Sequence, residues 1–255
     1  RSGNLLQAME EDLGQRSENP IARVEVESGM PPAVLEMLLR ELRFQGHGGP
    51  SASSAPEVQR VEGLLALSDV RPLADAPVPG GAFPPFVPRQ PFAPDRPLWD
   101  EVRAADRIVH HPYDDFGATV VRFISDAADD PDVVGMKLTL YRVGDRSPLV
   151  DALQRAARAG KDVAVFVELK ARFDEARNVI SVKRLEAAGV QVVYGLVGLK
   201  NHSKVALVVR REAGALRRYV HIGTGNYNPG TARVYTDLGL LSADPELGED
   251  VHDLF

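Results

Sequence analysis

The sequence contains no cysteine among its 255 residues. This absence excludes disulfide bonds, thiolate zinc sites and cysteine nucleophiles together. It also lacks the uninterrupted run of about 18 apolar residues that a membrane-spanning helix needs, and no apolar stretch follows Arg1 as it would in a signal peptide. We therefore expect a cytoplasmic protein with no transmembrane segment and with at most a peripheral attachment to a membrane.

Composition and charge place the chain among folded proteins. Apolar residues make up 44% and charged residues 26%, which excludes disorder, collagen and coiled coil. The net charge is 30 − 36 = −6, which on its own argues against a polyanionic partner. However, residues 133–236 carry 18 basic and 8 acidic side chains, a net of +10, against 12 − 28 = −16 elsewhere. The basic segment favours phosphate as a ligand.

Proline marks a domain boundary near residue 90, because nine of the 19 prolines lie between Pro72 and Pro97. Before the boundary, the pattern predicts a strand at residues 23–26 and a helix at residues 31–42. We interpret residues 1–90 as the partial end of a preceding α+β domain followed by a proline-rich linker. Residues 91–255 form the second predicted domain.

The second domain alternates strand and helix patterns, which is typical of an α/β fold with a largely parallel sheet. Strands are predicted at residues 133–141, at 162–169, from Val190, at 204–209, at 216–222 and at 235–241, with a hairpin turn at 212–214. Helices are predicted from Pro148 to before Gly160 and at 174–188. We expect a mixed, largely parallel sheet flanked by helices.

Cationic side chains follow the predicted strands, at the sheet edge where α/β proteins bind ligands. Arg142 follows the first strand, Arg172 the second, and Lys200, His202 and Lys204 the third. Solvated surface charge is the alternative interpretation of each. Arginines directly after buried strands favour a phosphate site.

The motif His-Ser-Lys at residues 202–204 is the sharpest short signal. Two residues apart at the start of a strand, His202 and Lys204 can meet one ligand. A neutral imidazole is a nucleophile toward phosphorus, and a neighbouring lysine lowers its pKa. A lone histidine is more often structural. The segment Gly-Thr-Gly-Asn at residues 223–226 favours a functional role for His202. Its glycines let backbone amides approach an anion, and Asn226 can orient the reacting group.

A motif H-x-K followed by G-[ST]-x-N resembles the half-site of the phospholipase D superfamily. After four further residues beyond the lysine that superfamily has an aspartate, where this chain has Val209. With this departure, the blocks KLTLYRVGDRSPLVDAL, VELKARFDEARN, GLKNHSKVALVVR and YVHIGTGNYNPGTARVYTDLGLL resemble polyphosphate kinases of the long-chain-synthesising type. The similarity runs almost continuously from His111 to the C-terminus.

The resemblance implies roles for individual residues. His202 matches the phosphohistidine that takes the terminal phosphoryl group of ATP and passes it to polyphosphate. Arg142 and Arg172 match the magnesium and phosphate site, and we interpret them as phosphate clamps beside the ion because arginine has no lone pair for a metal. Tyr235 matches a nucleotide-binding tyrosine. Three further site residues are predicted from their position and chemistry and not from the resemblance. Lys200 is predicted to bind ATP or phosphate, and Lys204 and Asn226 are predicted to act in catalysis.

The resemblance also implies partners and organisation. We expect ATP or ADP, polyphosphate and Mg²⁺ as ligands, no nucleic acid, and a homo-oligomer in the full-length protein. Residues 1–90 would belong to a dimerising head domain, and residues 91–255 to the first of two phospholipase D-like catalytic domains, truncated at its C-terminus. The isolated chain should then have little kinase activity.

Two other functions stay open from the sequence. One is a phospholipase D-like phosphodiesterase, and the other, for this chain alone, is a non-catalytic polyanion-binding module. His221, in the strand before Gly223, is predicted to be a packed, hydrogen-bonded histidine, and the pair His110 and His111 is predicted not to bind metal for want of a third ligand.

Overall fold

The computed structural model describes residues 6–7, 11, 14, 21–45, 57–81, 83–141, 147–168, 175–195 and 199–255. The chain divides into two compact units. The smaller is Glu10–Phe86, and the larger joins Arg1–Met9 to Val87–Phe255. In the described part of the chain, no helix has the length and apolar character needed to span a membrane.

The smaller unit contains a two-stranded parallel sheet and one long helix. Strand β1 (Arg23–Glu27) pairs with β2 (Glu57–Val61), and helix α1 (Pro32–Gln45) lies between them in sequence. A 3₁₀ segment, Leu67–Asp75, follows. Alternate residues of β1, Val24 and Val26, are buried, as expected for a strand with one covered face.

The larger unit is a seven-stranded mixed sheet with helices. Its helices are α2 (Leu98–Ala104), α3 (Arg122–Asp129, entered through a π turn at Gly117–Val121), α4 (Pro148–Arg158), α5 (Glu175–Ala187) and α6 (Pro245–Asp253). Its strands are β3 (Arg107–His111), β4 (Val133–Leu140), β5 (Asp162–Val167), β6 (Gln191–Tyr194), β7 (Val205–Glu212), β8 (Ala215–Gly223) and β9 (Asp237–Ser242). A 3₁₀ turn, Thr231–Arg233, precedes β9.

The strand order β3-β9-β8-β7-β4-β5-β6 determines where the functional residues meet. Strands β4, β5 and β6 are parallel, whereas β7, β8, β9 and β3 are joined to them by antiparallel pairings. The ends of β3, β4, β5, β6 and β8 therefore share one edge with the starts of β7 and β9. The β7–β8 turn lies at the opposite edge.

The main core lies between the sheet and helices α2 to α5. Trp99 of α2 packs its ring 5.6 Å from that of Phe123 and 4.8 Å from that of Tyr219. On the other face, Val251 of α6 covers Val205 and Leu207 of β7. Strand β7 is thus buried on both faces, which explains its continuous apolar sequence.

The predicted α/β fold with a mixed sheet flanked by helices is confirmed, but the prediction that the sheet is largely parallel is wrong. Four of its six strand pairings are antiparallel, because a hairpin joins β7 to β8 and β9 and β3 continue the sheet in antiparallel order. The predicted elements are present, with bounds that differ by one to three residues. Helices α2, α3 and α6 and strands β2 and β3 were not assigned from the sequence. The seven-residue α2 is too short to show helical periodicity, and β3 is an edge strand whose Ile108 is 72% exposed. The assignment of residues 1–90 to a dimerising domain stays a prediction.

The β7–β8 hairpin ends in a carboxylate shared by several donors. Ala213 and Gly214 both have positive φ, 46° and 82°, as a two-residue hairpin turn requires. Next to the turn, the carboxylate of Glu212 accepts hydrogen bonds from Tyr219 (2.6 Å), Arg210 (3.0 Å), Arg217 (3.0 Å) and Arg103 (3.2 Å). Burial alone would raise the pKa of Glu212, but the bonds from Tyr219, Arg210 and Arg103 outweigh it and lower the pKa.

Replacing this carboxylate should destabilise the fold in a pH-dependent way. The pKa of Glu212 is lower in the folded protein than in the unfolded chain. The ionised carboxylate therefore stabilises the fold at pH values above the unfolded-state pKa, and this stabilisation is lost as the pH falls through the folded-state pKa. We expect Glu212→Gln to lower the free energy of unfolding at pH 7 by about 1–3 kcal/mol, and the difference from wild type to shrink on acidification. Urea unfolding at several pH values measures this. The exposed Glu249→Gln is the control, and an equal loss at every pH would contradict the prediction.

Candidate active site

Buried polar side chains hold the backbone of the segment that carries His202 through hydrogen bonds. The hydroxyl of Thr139, near the end of β4, donates to the carbonyl oxygen of Ser203 (2.8 Å) and accepts from the amide of Val205 (3.0 Å). The carboxylate of Glu168 accepts from the amide of Asn201 (2.9 Å). Thr139 and Glu168 are both 3% exposed. His202 therefore lies between two anchored residues, while its own side chain is exposed.

Asn178 of α5 joins the ends of the two strands that supply these anchors. Its side-chain amide donates to the carbonyl oxygens of Tyr141 (3.0 Å) and Glu168 (3.1 Å). Asn178 is fully buried, so these bonds form out of contact with water and favour one geometry. The ends of β4 and β5 are thereby held in register beneath the His202 segment.

The ring of Tyr141 is the point around which the cationic side chains gather. The ammonium groups of Lys204 and Lys200 lie 5.2 Å and 5.3 Å from its centroid, within cation–π range. The imidazole of His202 packs edge-on against it, with centroids 5.1 Å apart at 81°. One aromatic ring thus places two ammonium groups beside one imidazole.

These lysines change the protonation of His202. The positive charge of Lys204, with smaller contributions from burial and from Lys200, lowers the pKa of His202 below its usual value. Burial in turn lowers the pKa of Lys204, whose side chain donates to the His202 carbonyl oxygen at 2.6 Å, although the nearby charge of Asp237 opposes this shift. The arrangement favours a neutral imidazole at pH 7.

The loop Gly223–Asn226 lies beside this cluster. The Gly223 amide donates to the Lys204 carbonyl oxygen (2.9 Å), and the Thr224 hydroxyl donates to Asp237 (2.8 Å). A Cβ at Gly225 would lie 2.5 Å from Asp237 Oδ2, so only glycine lets the loop approach this carboxylate. The Oδ1 atom of Asn226 is buried and has no hydrogen-bond partner in the described part of the chain.

The structure thus brings together three of the seven site residues predicted from the sequence, and a backbone hydrogen bond joins one of them to the loop that carries a fourth. Lys200, His202 and Lys204 surround Tyr141, and Asn226 lies on the adjoining loop. Strand β7 begins at Val205, so His202 and Lys204 lie in the segment before it and not in the strand itself. Tyr235 is 59% exposed, two residues before β9. Arg142 and Arg172 fall outside the described residues.

Comparison with known proteins identifies the family. Residues 97–255 match the family model described as polyphosphate kinase C-terminal domain 1. The chain belongs to the polyphosphate kinase family. A polyphosphate kinase from Mycolicibacterium gilvum is 49% identical over 261 residues, and one from Mycobacterium avium is 50% identical over 260 residues. Each match covers 100% of this chain and 34% of the relative.

A solved structure agrees with this assignment. The crystal structure of a polyphosphate kinase from Porphyromonas gingivalis matches with a TM-score of 0.66 and 33% identity. The match covers 91% of this chain and 34% of that one. The chain therefore spans about a third of the length of the polyphosphate kinases that it matches.

Sequence reasoning missed several residues of this polyphosphate kinase domain. Tyr141 directly precedes the arginine that was singled out, but in the sequence it is the last residue of the apolar run predicted as a strand. Asp237 follows Tyr235 by two residues, but only pairing between β8 and β9 brings it to the Gly225 loop. Thr139 and Glu168 lie within or directly after apolar strand patterns. Their roles depend on which strands are neighbours in the sheet, which one sequence does not show.

The described residues of this domain do not form a metal cage. None of their His, Asp and Glu side chains form a group of three or more that could hold a metal ion. Two carboxylates beside the site, Glu168 and Asp237, already accept hydrogen bonds from Asn201 and Thr224. A magnesium ion fits this donor set only if phosphate oxygens of a bound nucleotide supply most of its ligands, which is a common way for Mg²⁺ to bind.

Removing the hydroxyl of Thr139 should loosen the His202 segment. Thr139→Val keeps the shape but leaves the Ser203 carbonyl oxygen and the Val205 amide without their partner, at about 1–3 kcal/mol for each buried group. Thr139→Ser retains the hydroxyl and serves as the control. We expect a lower melting temperature and changed NMR shifts of His202 in the valine variant only. Equal behaviour of the two variants would contradict the anchor.

The pKa of His202 should rise when its neighbouring cations are removed. We expect Lys204→Met to raise this pKa most, because Lys204 is the largest cause of the shift, and Lys200→Met to raise it less. NMR titration of the His202 ring measures both. Arg158→Met, on an exposed helical position, is the control. An unchanged pKa in Lys204→Met would contradict this account of the site.

Proposed function

We propose that this chain supplies the phosphate-accepting histidine of a polyphosphate kinase. The reaction is the reversible transfer of the terminal phosphoryl group of ATP to polyphosphate through a phosphohistidine at His202. The observation that carries the proposal is an exposed imidazole whose pKa is lowered by two lysines on the same aromatic ring. The full-length relatives named polyphosphate kinase support the choice of substrates.

The first step is attack on the nucleotide. A lone pair on the neutral ring of His202 attacks the γ-phosphorus of ATP, so that an N–P bond forms as the P–O bond to ADP breaks. Lys204 and Lys200 attract the phosphate oxygens and stabilise the charge that develops on them. The same two positive charges also lower the pKa of His202. They therefore both bind the phosphate and keep the attacking imidazole neutral.

The second step regenerates the histidine. A terminal oxygen of polyphosphate attacks the phosphorus of the phosphohistidine, forming a P–O bond as the N–P bond breaks and lengthening the polymer by one unit. Both bonds are of high energy, so the reaction runs in either direction. In this proposal Asn226 hydrogen-bonds the transferred group, and the exposed ring of Tyr235 stacks on the base of the nucleotide.

Phosphate clamps and magnesium complete the proposal. Arg142 and Arg172 would bind phosphate oxygens bidentately. Magnesium would arrive on the phosphates of ATP and neutralise part of their charge. The homo-oligomeric state and the cytoplasmic location remain predictions from the sequence.

The two alternative functions make different predictions. A phosphodiesterase of the phospholipase D type would be expected to carry an aspartate at position 209, where Val209 pairs with Gly135 of β4 and Arg218 of β8. A polyanion-binding module would bind polyphosphate without becoming phosphorylated. Supplying the full-length protein with ATP and polyphosphate, and separately with a phosphodiester, distinguishes a kinase from a phosphodiesterase.

Labelling of His202 tests the proposed function. With γ-labelled ATP, we expect the full-length protein to acquire an acid-labile, base-stable phosphate, and His202→Ala to lose it completely because the accepting nitrogen is gone. His110→Ala, in β3, is the matched control and should retain the label. Persistent label of this kind in His202→Ala would overturn the assignment. The 255-residue chain alone is expected to bind polyphosphate weakly and to turn over little, if at all.

A further inference from the structure

Three buried polar atoms face one small cavity beside the Gly223–Asn226 loop. His111 of β3, His221 of β8 and Asn226 all line it, together with Asp237, whose carboxylate accepts from Thr224, and with apolar side chains such as Phe116. His111 Nε2, His221 Nε2 and Asn226 Oδ1 are buried and have no partner within the described residues. About 10 Å³ is open to the centre of a water molecule, which is roughly the space that a single water needs.

The hydrogen bond of His111 determines which of its nitrogens carries the proton. Its Nδ1 lies 2.9 Å from the carbonyl oxygen of Asp114. A carbonyl oxygen only accepts, so Nδ1 must be the donor. In a neutral ring, Nε2 of His111 then presents a lone pair to the cavity.

His221 has the opposite arrangement. Its Nδ1 lies 2.8 Å from the hydroxyl oxygen of Tyr227, whereas that hydroxyl is 3.5 Å from the nearest alternative acceptor, the His221 carbonyl oxygen. Burial raises the pKa of Tyr227 well above its usual value, so the phenol keeps its proton, and burial lowers the pKa of His221 to about 3, so the ring is neutral. The phenol therefore donates to Nδ1, and Nε2–H of His221 points into the cavity as a donor.

With the His111 ring in its neutral form, the three partnerless atoms are therefore two acceptors, on His111 and Asn226, and one donor, on His221. An anion has no proton to give the acceptors, and a metal ion finds no lone pair on His221 Nε2. Water can donate twice and accept once, which satisfies all three atoms with the usual three hydrogen bonds of a buried water.

We propose that a single buried water molecule joins His111, His221 and Asn226, and that the two histidines are positioning residues for Asn226. By holding Oδ1, the water fixes the plane of the Asn226 carboxamide and hence the direction of its NH₂ group. The water site does not depend on the proposed kinase function. Only the binding of a phosphate by the oriented NH₂ group rests on the proposed kinase function.

The wild-type chain gives the first test, by nitrogen NMR of its histidine rings. We expect His111 as the Nδ1–H form and His221 as the Nε2–H form, and a high-resolution crystal structure should show one water within hydrogen-bond distance of the three atoms. If His221 is instead protonated on Nδ1, three acceptors would face the cavity, which one water cannot satisfy, and the proposal would be overturned. A direct contact among the three side chains would overturn it as well.

Variants test the positioning of Asn226. We expect His221→Phe and His111→Phe each to shift the Asn226 side-chain NH₂ signals, while His110→Phe, on the same strand but the opposite face, leaves them in place. Asn226→Ala should reciprocally shift the ring nitrogens of both histidines, which tests the link even if the phenylalanine variants fail to fold. Unchanged Asn226 signals in the histidine variants, or unchanged histidines in Asn226→Ala, would refute the positioning role. Neither readout requires kinase activity.

Discussion

The antiparallel attachment of β7 to the parallel strand β4 is the constraint on which the site depends. It brings the start of one strand to the end of another, and the buried hydroxyl of Thr139 holds the two together through Ser203 and Val205. In an all-parallel sheet, the segment before β7 would lie at the far edge, away from the ends of β4 and β5. His202 reaches the edge where β4 and β5 end because the sheet is mixed.

Tyr141 resolves an electrostatic difficulty at that edge. Two ammonium groups repel each other, and both repel the imidazole when it is protonated. A carboxylate directly against the ring would attract the lysines but would also stabilise the protonated imidazole. An aromatic face attracts cations through its quadrupole without adding a full negative charge. It therefore gathers Lys200 and Lys204 around His202 while leaving their field free to act on the imidazole and on an incoming anion.

Much of this could be predicted from the sequence, and the rest could not, for physical reasons. The strands from β4 to β9 were predictable because they are apolar runs bounded by glycine and proline. The role of His202 was predictable because a histidine two residues before a lysine is suited to phosphoryl transfer. The contributions of Thr139, Glu168 and Asp237 depend on strand neighbours far apart in sequence, and Tyr141 looks like one more apolar residue at the end of a strand. The tautomers of His111 and His221 depend on a carbonyl oxygen and a phenol that only the folded chain brings to them.

The position of the β7–β8 turn has a consequence for how the domain can evolve. Strand β7 runs eight residues from Val205 to Glu212, roughly 23 Å at the usual rise of a strand. The Glu212 hydrogen-bond cluster is thus separated by the length of the sheet from the histidine that the lysines tune. Substitutions at such a distance usually act additively. Changes that stabilise the turn can therefore accumulate without disturbing the edge that carries His202, and that edge can vary while the turn maintains the fold.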